Sequence, residues 1–133
     1  MNRNLKLLLV VLCGAAIVGE LYYMFFAKPF VNVWNEGKAI MSGQLQPTEE
    51  HPLWFHYRSI ENAFDEGATK VELEIRRSLM WHFGNKGRIT VNYKQKIYDS
   101  SGNLMINCSS AEVWILAKVG QEWKITDVIV GPA

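Results

Sequence analysis

Cysteine is nearly absent from this 133-residue chain, and the two that occur, Cys13 and Cys108, exclude a disulfide-built scaffold. Cys13 lies inside a hydrophobic run, so the rest of the chain holds one thiol and cannot close an internal disulfide. Cys108 reads as a small buried hydrophobe rather than a reactive thiol. An excess of one charge is missing too. Setting aside Arg3, Lys6 and Glu20, twelve Lys/Arg face twelve Asp/Glu from Lys28 onward, so no global field favours nucleic acid or an anionic surface. Histidine is scarce: His51 and His56 stand five apart across Pro52 and His82 is distant, so the spacing of a His-x-x-x-His metal site does not occur. Surface or helix-packing roles are expected for all three. A glycine-rich phosphate loop and a Ser-His-Asp elbow are also lacking, and no cofactor or metal is implied.

Apolar residues are abundant at 49%, with five tryptophans, which is the composition of a packed chain. Leu7 to Gly19 is an unbroken apolar and small-residue run, and Leu21 to Ala27 continues it past Glu20. Together they approach one bilayer span. Arg3, Lys6 and the amino terminus precede the run, so the positive-inside rule keeps the start of the chain cytoplasmic and sends the residues after Lys28 across the membrane. Leu7 to Ala16 would also serve as the core of a cleaved signal, with Ala16 or Gly19 before the cut. Tyr22, Tyr23, Phe25 and Phe26 resemble an interfacial belt and favour a retained anchor. Cys13 does not fit a lipidation site, because Val10, Val11 and Leu12 put bulk where a small residue is wanted. Residues 1–27 are thus read as the anchor and residues 28–133 as one extracytoplasmic domain.

Within that domain Pro29 suits a helix N1 position, and Phe30, Val33, Trp34, Ile40 and Met41 recur at helical spacing up to Gly43, with Gly37 as a weak point. Gln44 to His51 reads as a loop. A second helix carries Leu53, Tyr57, Ile60 and Phe64 on one stripe and ends at Gly67. Beyond it the period drops to two. Val71, Leu73, Ile75, Leu79, Trp81 and Phe83 alternate with polar residues to the Gly84–Gly87 turn. Ile89, Val91, Tyr93 and Ile97 come next, then an Asp99–Asn103 loop, a strand from Leu104 to Lys118, the Gly120-Gln121 turn and a last strand from Trp123 to Val130. The expected fold is α+β: two short helices on a curved four-stranded antiparallel meander, a half-barrel.

Tyr93, the Asp99-to-Gly102 turn, Glu112-Val113-Trp114-Ile115-Leu116 and Gly120-Gln121-Glu122-Trp123-Lys124-Ile125 resemble the C-terminal strands of the nuclear transport factor 2-like (cystatin-like) superfamily, over roughly residues 53 to 130. The helices are abbreviated relative to that pattern. The resemblance implies a sheet closing as a cone. It does not choose a function, since the superfamily holds isomerases, dehydratases, binding modules and membrane-tethered parts of secretion machines.

Polar residues that interrupt apolar strand faces are the candidates for a site. Arg77 lies between Ile75 and Leu79, Gln95 between Tyr93 and Ile97, and Asp127 between Ile125 and Ile129, while Ser110, Glu112, Trp114 and Leu116 share a face. A buried guanidinium needs a carboxylate, so Arg77 is expected to pair with Glu112 or Asp127. A structural ion pair, a bulge turning Arg77 to solvent, and a polar ligand pocket of Arg77, Tyr93, Gln95, Glu112, Trp114 and Asp127 all remain open. A catalytic carboxylate is disfavoured, because a neighbouring arginine lowers the pKa that general acid catalysis needs raised. Asn107-Cys108-Ser109 fits a glycosylation sequon but falls in a strand. The expected function is a membrane-anchored, non-enzymatic interaction domain whose partners are the membrane, through Leu7 to Ala27, and other membrane or envelope proteins. The alternative is a small-molecule binder or isomerase-type enzyme.

Overall fold

The computed structural model describes residues 2–131, apart from the side chain of Phe26. Helix α1, Arg3–Tyr22, buries none of its residues. The Asn2 side chain caps it, accepting from the Asn4 N–H at 3.0 Å. The helical path does not stop where the apolar run ends. A π-helical turn, Tyr23–Ala27, and a 3-10 turn, Lys28–Phe30, lead directly into α2, Val31–Met41. Pro29, expected to open a separate helix, sits in this joint instead. It has no N–H to give the carbonyl of Phe25, its α-helical partner, and that carbonyl is met from outside the helix by His82 Nε2. Among the described residues this is one helix long and apolar enough to cross a membrane.

After the Gln44–His51 stretch comes α3, Trp54–Asp65, which ends before Gly67 at φ +109°. Its buried stripe is Leu53, His56, Ile60 and Ala63. Tyr57 is half-buried against the core, whereas Phe64, expected on the stripe, is exposed. The sheet is the expected meander: β1 (Ala68–Phe83), β2 (Lys86–Asp99), β3 (Leu104–Val119) and β4 (Glu122–Val130), antiparallel throughout and in chain order. It is open and not closed into a barrel. Asp99 Oδ1 shapes the β2–β3 turn by accepting from the N–H groups of Ser101 and Asn103, each at 2.9 Å.

Helices α2 and α3 cover one face of this sheet. Phe30, Val33, Trp34, Ile40, Met41 and Leu53 pack on Met80, Ile89, Val91, Trp114, Leu116 and Ile125, while Ile60 and Ala63 pack on Ala68 and Ile97. Each large apolar side chain buried in this way contributes about 1.5–3 kcal/mol. Gly37 is what lets α2 come so close, since a Cβ there would overlap the Trp114 ring. The residue that weakens the helix in isolation therefore fits it to the sheet.

Two bulges change which side chains face the helices. In β1 the register shifts between Arg77 and Leu79, so Val71, Leu73, Ile75 and Arg77 point inward and Met80 and His82 continue the row. Leu79, Trp81 and Phe83, expected inside, are turned out and exposed. In β4 the shift opposite Ile115 and Leu116 has the same effect. Val128 packs on the core, and Asp127, expected inside, is exposed. The cause is common to both: one extra residue exchanges the two faces of everything beyond it.

Candidate functional site

Glu112 is 1% exposed, the most completely buried charged residue described. It stands with Trp114 on the inner face of β3, two residues apart, and the Trp114 indole N–H donates to Glu112 Oε1 at 2.9 Å. His56 reaches the same carboxylate from α3, its Nε2 lying 3.0 Å from Oε1 and 2.9 Å from Oε2. A carboxylate only accepts, which assigns the imidazole proton in this contact to Nε2. Helix and sheet are thereby joined through one buried group with two donors, and a buried polar group is tolerable only when satisfied in this way.

Tyr93 stands beside this cluster, its ring edge-on to the imidazole at 5.1 Å between centroids. Burial pushes its phenol up to about 12, with Cys108 and then the Glu112 charge adding to the effect. Gln95 is engaged elsewhere: its side-chain N–H donates to the Met41 carbonyl at 3.3 Å, tying β2 to the end of α2. Arg77 lies on the inner face but makes no ion pair among the described residues. Its guanidinium stacks 5.4 Å from the Trp34 ring, and that ring lies 5.4 Å from Trp114. The expected Arg77 pairing with Glu112 or Asp127 is therefore corrected. Glu112 is taken by His56 and Trp114, and Asp127 accepts from the N–H of Val128 on the exposed side of β4.

Of the six residues marked in the sequence, three gather at one point, namely Tyr93, Glu112 and Trp114. Gln95 and Arg77 flank them with partners of their own, and Asp127 is excluded. His56 was the residue missed, although it lies three after Leu53 and four before Ile60 and so shares their helical face. A cleft of about 360 Å³ reaches Tyr93, but Glu74, Arg76, Asn92 and Lys94 line it from the solvent side, without Glu112, Gln95 or Trp114. Among the described residues no group of three or more His, Cys, Asp or Glu comes together as a metal site. The cluster holds α3 to β3, with both Glu112 oxygens, His56 Nε2 and the Trp114 N–H engaged with one another inside the fold. Set against protein-family models the chain matches none, and no curated protein matches it.

Proposed function

We propose that this chain is a membrane-anchored binding domain held outside the cytoplasm, of nuclear transport factor 2-like kind, serving without catalysis as an accessory subunit of an envelope or secretion assembly. One observation carries the proposal: α1 buries none of its residues and, with the π-helical turn after it, exposes apolar side chains from Leu5 to Phe25, yet the helical path runs without a break into α2, whose Val33, Trp34, Ile40 and Met41 are core residues. So large an apolar surface calls for lipid rather than water. Arg3 and Lys6 ahead of it favour a cytoplasmic amino terminus and a domain on the far side.

The rival reading, a small-molecule binder or isomerase working inside the sheet, needs polar groups free to meet a substrate. Glu112 is instead in hydrogen-bond contact with His56 and Trp114 and sealed from solvent, which supports a structural part for it. Purification of the full chain from detergent-solubilised membranes should bring down a specific envelope protein in stoichiometric amount. Recovery of the chain alone under gentle extraction would contradict the proposal.

A further inference from the structure

We infer that the outward face at the end of β1, formed by Leu79, Trp81 and Phe83, is a second membrane contact, seated among the phospholipid headgroups of the bilayer that α1 spans. This rests on the anchor reading above.

The β1 bulge sets the three side chains on the side away from the helices, where Leu79 is 54% exposed, Trp81 39% and Phe83 85%. Phe83 flanks a two-residue Gly84-Asn85 turn, where water alone gives no reason for a large apolar side chain. Position narrows the choice of occupant. The Tyr22 hydroxyl donates to the Met80 carbonyl at 3.2 Å, and His82 Nε2 contacts the Phe25 carbonyl. Phe83 comes directly after His82, about 3.3 Å further along the strand. It therefore stands where the exposed apolar surface of the helix ends: Tyr23 and Phe25 are exposed, whereas Ala27 and Phe30 are buried. Tyr22, Tyr23 and Phe25 have the make-up of an interfacial aromatic belt, and Phe83 and Trp81 extend it sideways from the helix.

Charge identifies the partner as phospholipid. Lys86 lies opposite Phe83 and Arg88 opposite Trp81 in the β1–β2 register, with the Arg88 guanidinium 5.9 Å from the Trp81 ring. Lys28 comes just after the belt on the helix itself. Aromatic rings with long cationic side chains beside them suit headgroup depth, where the ring meets acyl chain and the cation meets phosphate. Helix and hairpin together would hold the domain at a fixed tilt, with the β2–β3 turn at the opposite end of the sheet turned away.

The test uses the full chain in phosphatidylcholine–phosphatidylglycerol vesicles. Cys13→Ala and Cys108→Ala remove the native thiols, and a fluorophore is placed at Phe83→Cys or, at the far turn, Asn103→Cys. With nitroxide-bearing lipids in the bilayer the probe at position 83 should lose most of its emission and be shielded from aqueous iodide, and the probe at 103 should behave in the opposite way. Equal iodide quenching at both positions, in a chain that floats with the vesicles, overturns the inference. Shielding at 83 without nitroxide quenching would place a protein or a second copy there and overturns it too. A chain that does not float overturns the anchor reading, and this one with it. Because Cys108 is half-buried, the unsubstituted chain is also exposed to lipids carrying a carbene precursor. Crosslinks on the peptide holding Trp81 and Phe83 support the contact, and crosslinks confined to α1 exclude it.

Discussion

Glu112 receives two donors from two different elements, so its removal is felt in both. Glu112→Leu leaves His56 Nε2 and Trp114 Nε1 buried without an acceptor, and the expected loss is about 3–5 kcal/mol. His56→Leu should cost a similar amount, and the double variant clearly less than the sum, because neither group is then left without the other. Urea unfolding of the four proteins measures the coupling, and strictly additive losses would contradict the contact. Arg77 provides the contrast. Half-buried against Trp34 and without a carboxylate partner among the described residues, it should cost only about 0.5–1 kcal/mol as Arg77→Met. Tyr93 adds a dependence on alkaline pH. Its phenol is raised from an ordinary value of 10.0 to about 12 in the folded state, so the unfolded chain loses this proton first. The associated stability is intact below about pH 10 and falls as pH rises through about 12. Tyr93→Phe should flatten that part of the stability curve, and an unchanged alkaline limb would contradict the assignment.

At the scale of elements, Gly37 separates local preference from packing. Alanine gains up to about 1 kcal/mol in an isolated helix. Here its Cβ would overlap the Trp114 ring, and overpacking of that kind costs about 1–3 kcal/mol. Gly37→Ala should therefore lower Tm, and a rise would show that α2 does not press on Trp114. The same distinction explains which elements the sequence makes legible. Helix α3 and the turns at Gly84, Asp99 and Gly120 were legible because turn chemistry and a change of period are written locally. The placing of the bulges was not, since Leu79, Trp81 and Phe83 keep step with Val71, Leu73 and Ile75 across Arg77, and an apolar row facing out has the pattern of one facing in. Asp127 was misplaced for that reason. The inward position of Gln95, Glu112 and Trp114 was legible because the β2–β3 register is unbroken from Lys86 to Ile97 and from Ile106 to Ala117, its shift lying beyond Ile97. Their partners were not legible: His56 comes from 56 residues away in sequence, and only the docking of α3 brings it to Glu112.

For the whole molecule, one helical path from Arg3 to Met41 joins an exposed apolar segment to a sealed core, and Pro29 at the joint frees a carbonyl that the sheet takes up. The α+β class and the meander order could be read from the sequence because periodicity and short turns determine them. The route of the helix through Pro29 could not, since proline there equally suits the start of a new helix. If α1 is the anchor proposed above, a domain fixed to it in this way should keep one side of the membrane throughout. Protease added to intact spheroplasts tests this most directly. The account predicts loss of the domain from the outside, with an apolar fragment of α1 left in the membrane pellet. Full-length chain that resists protease until the cells are lysed, or that appears in the soluble fraction, would contradict it.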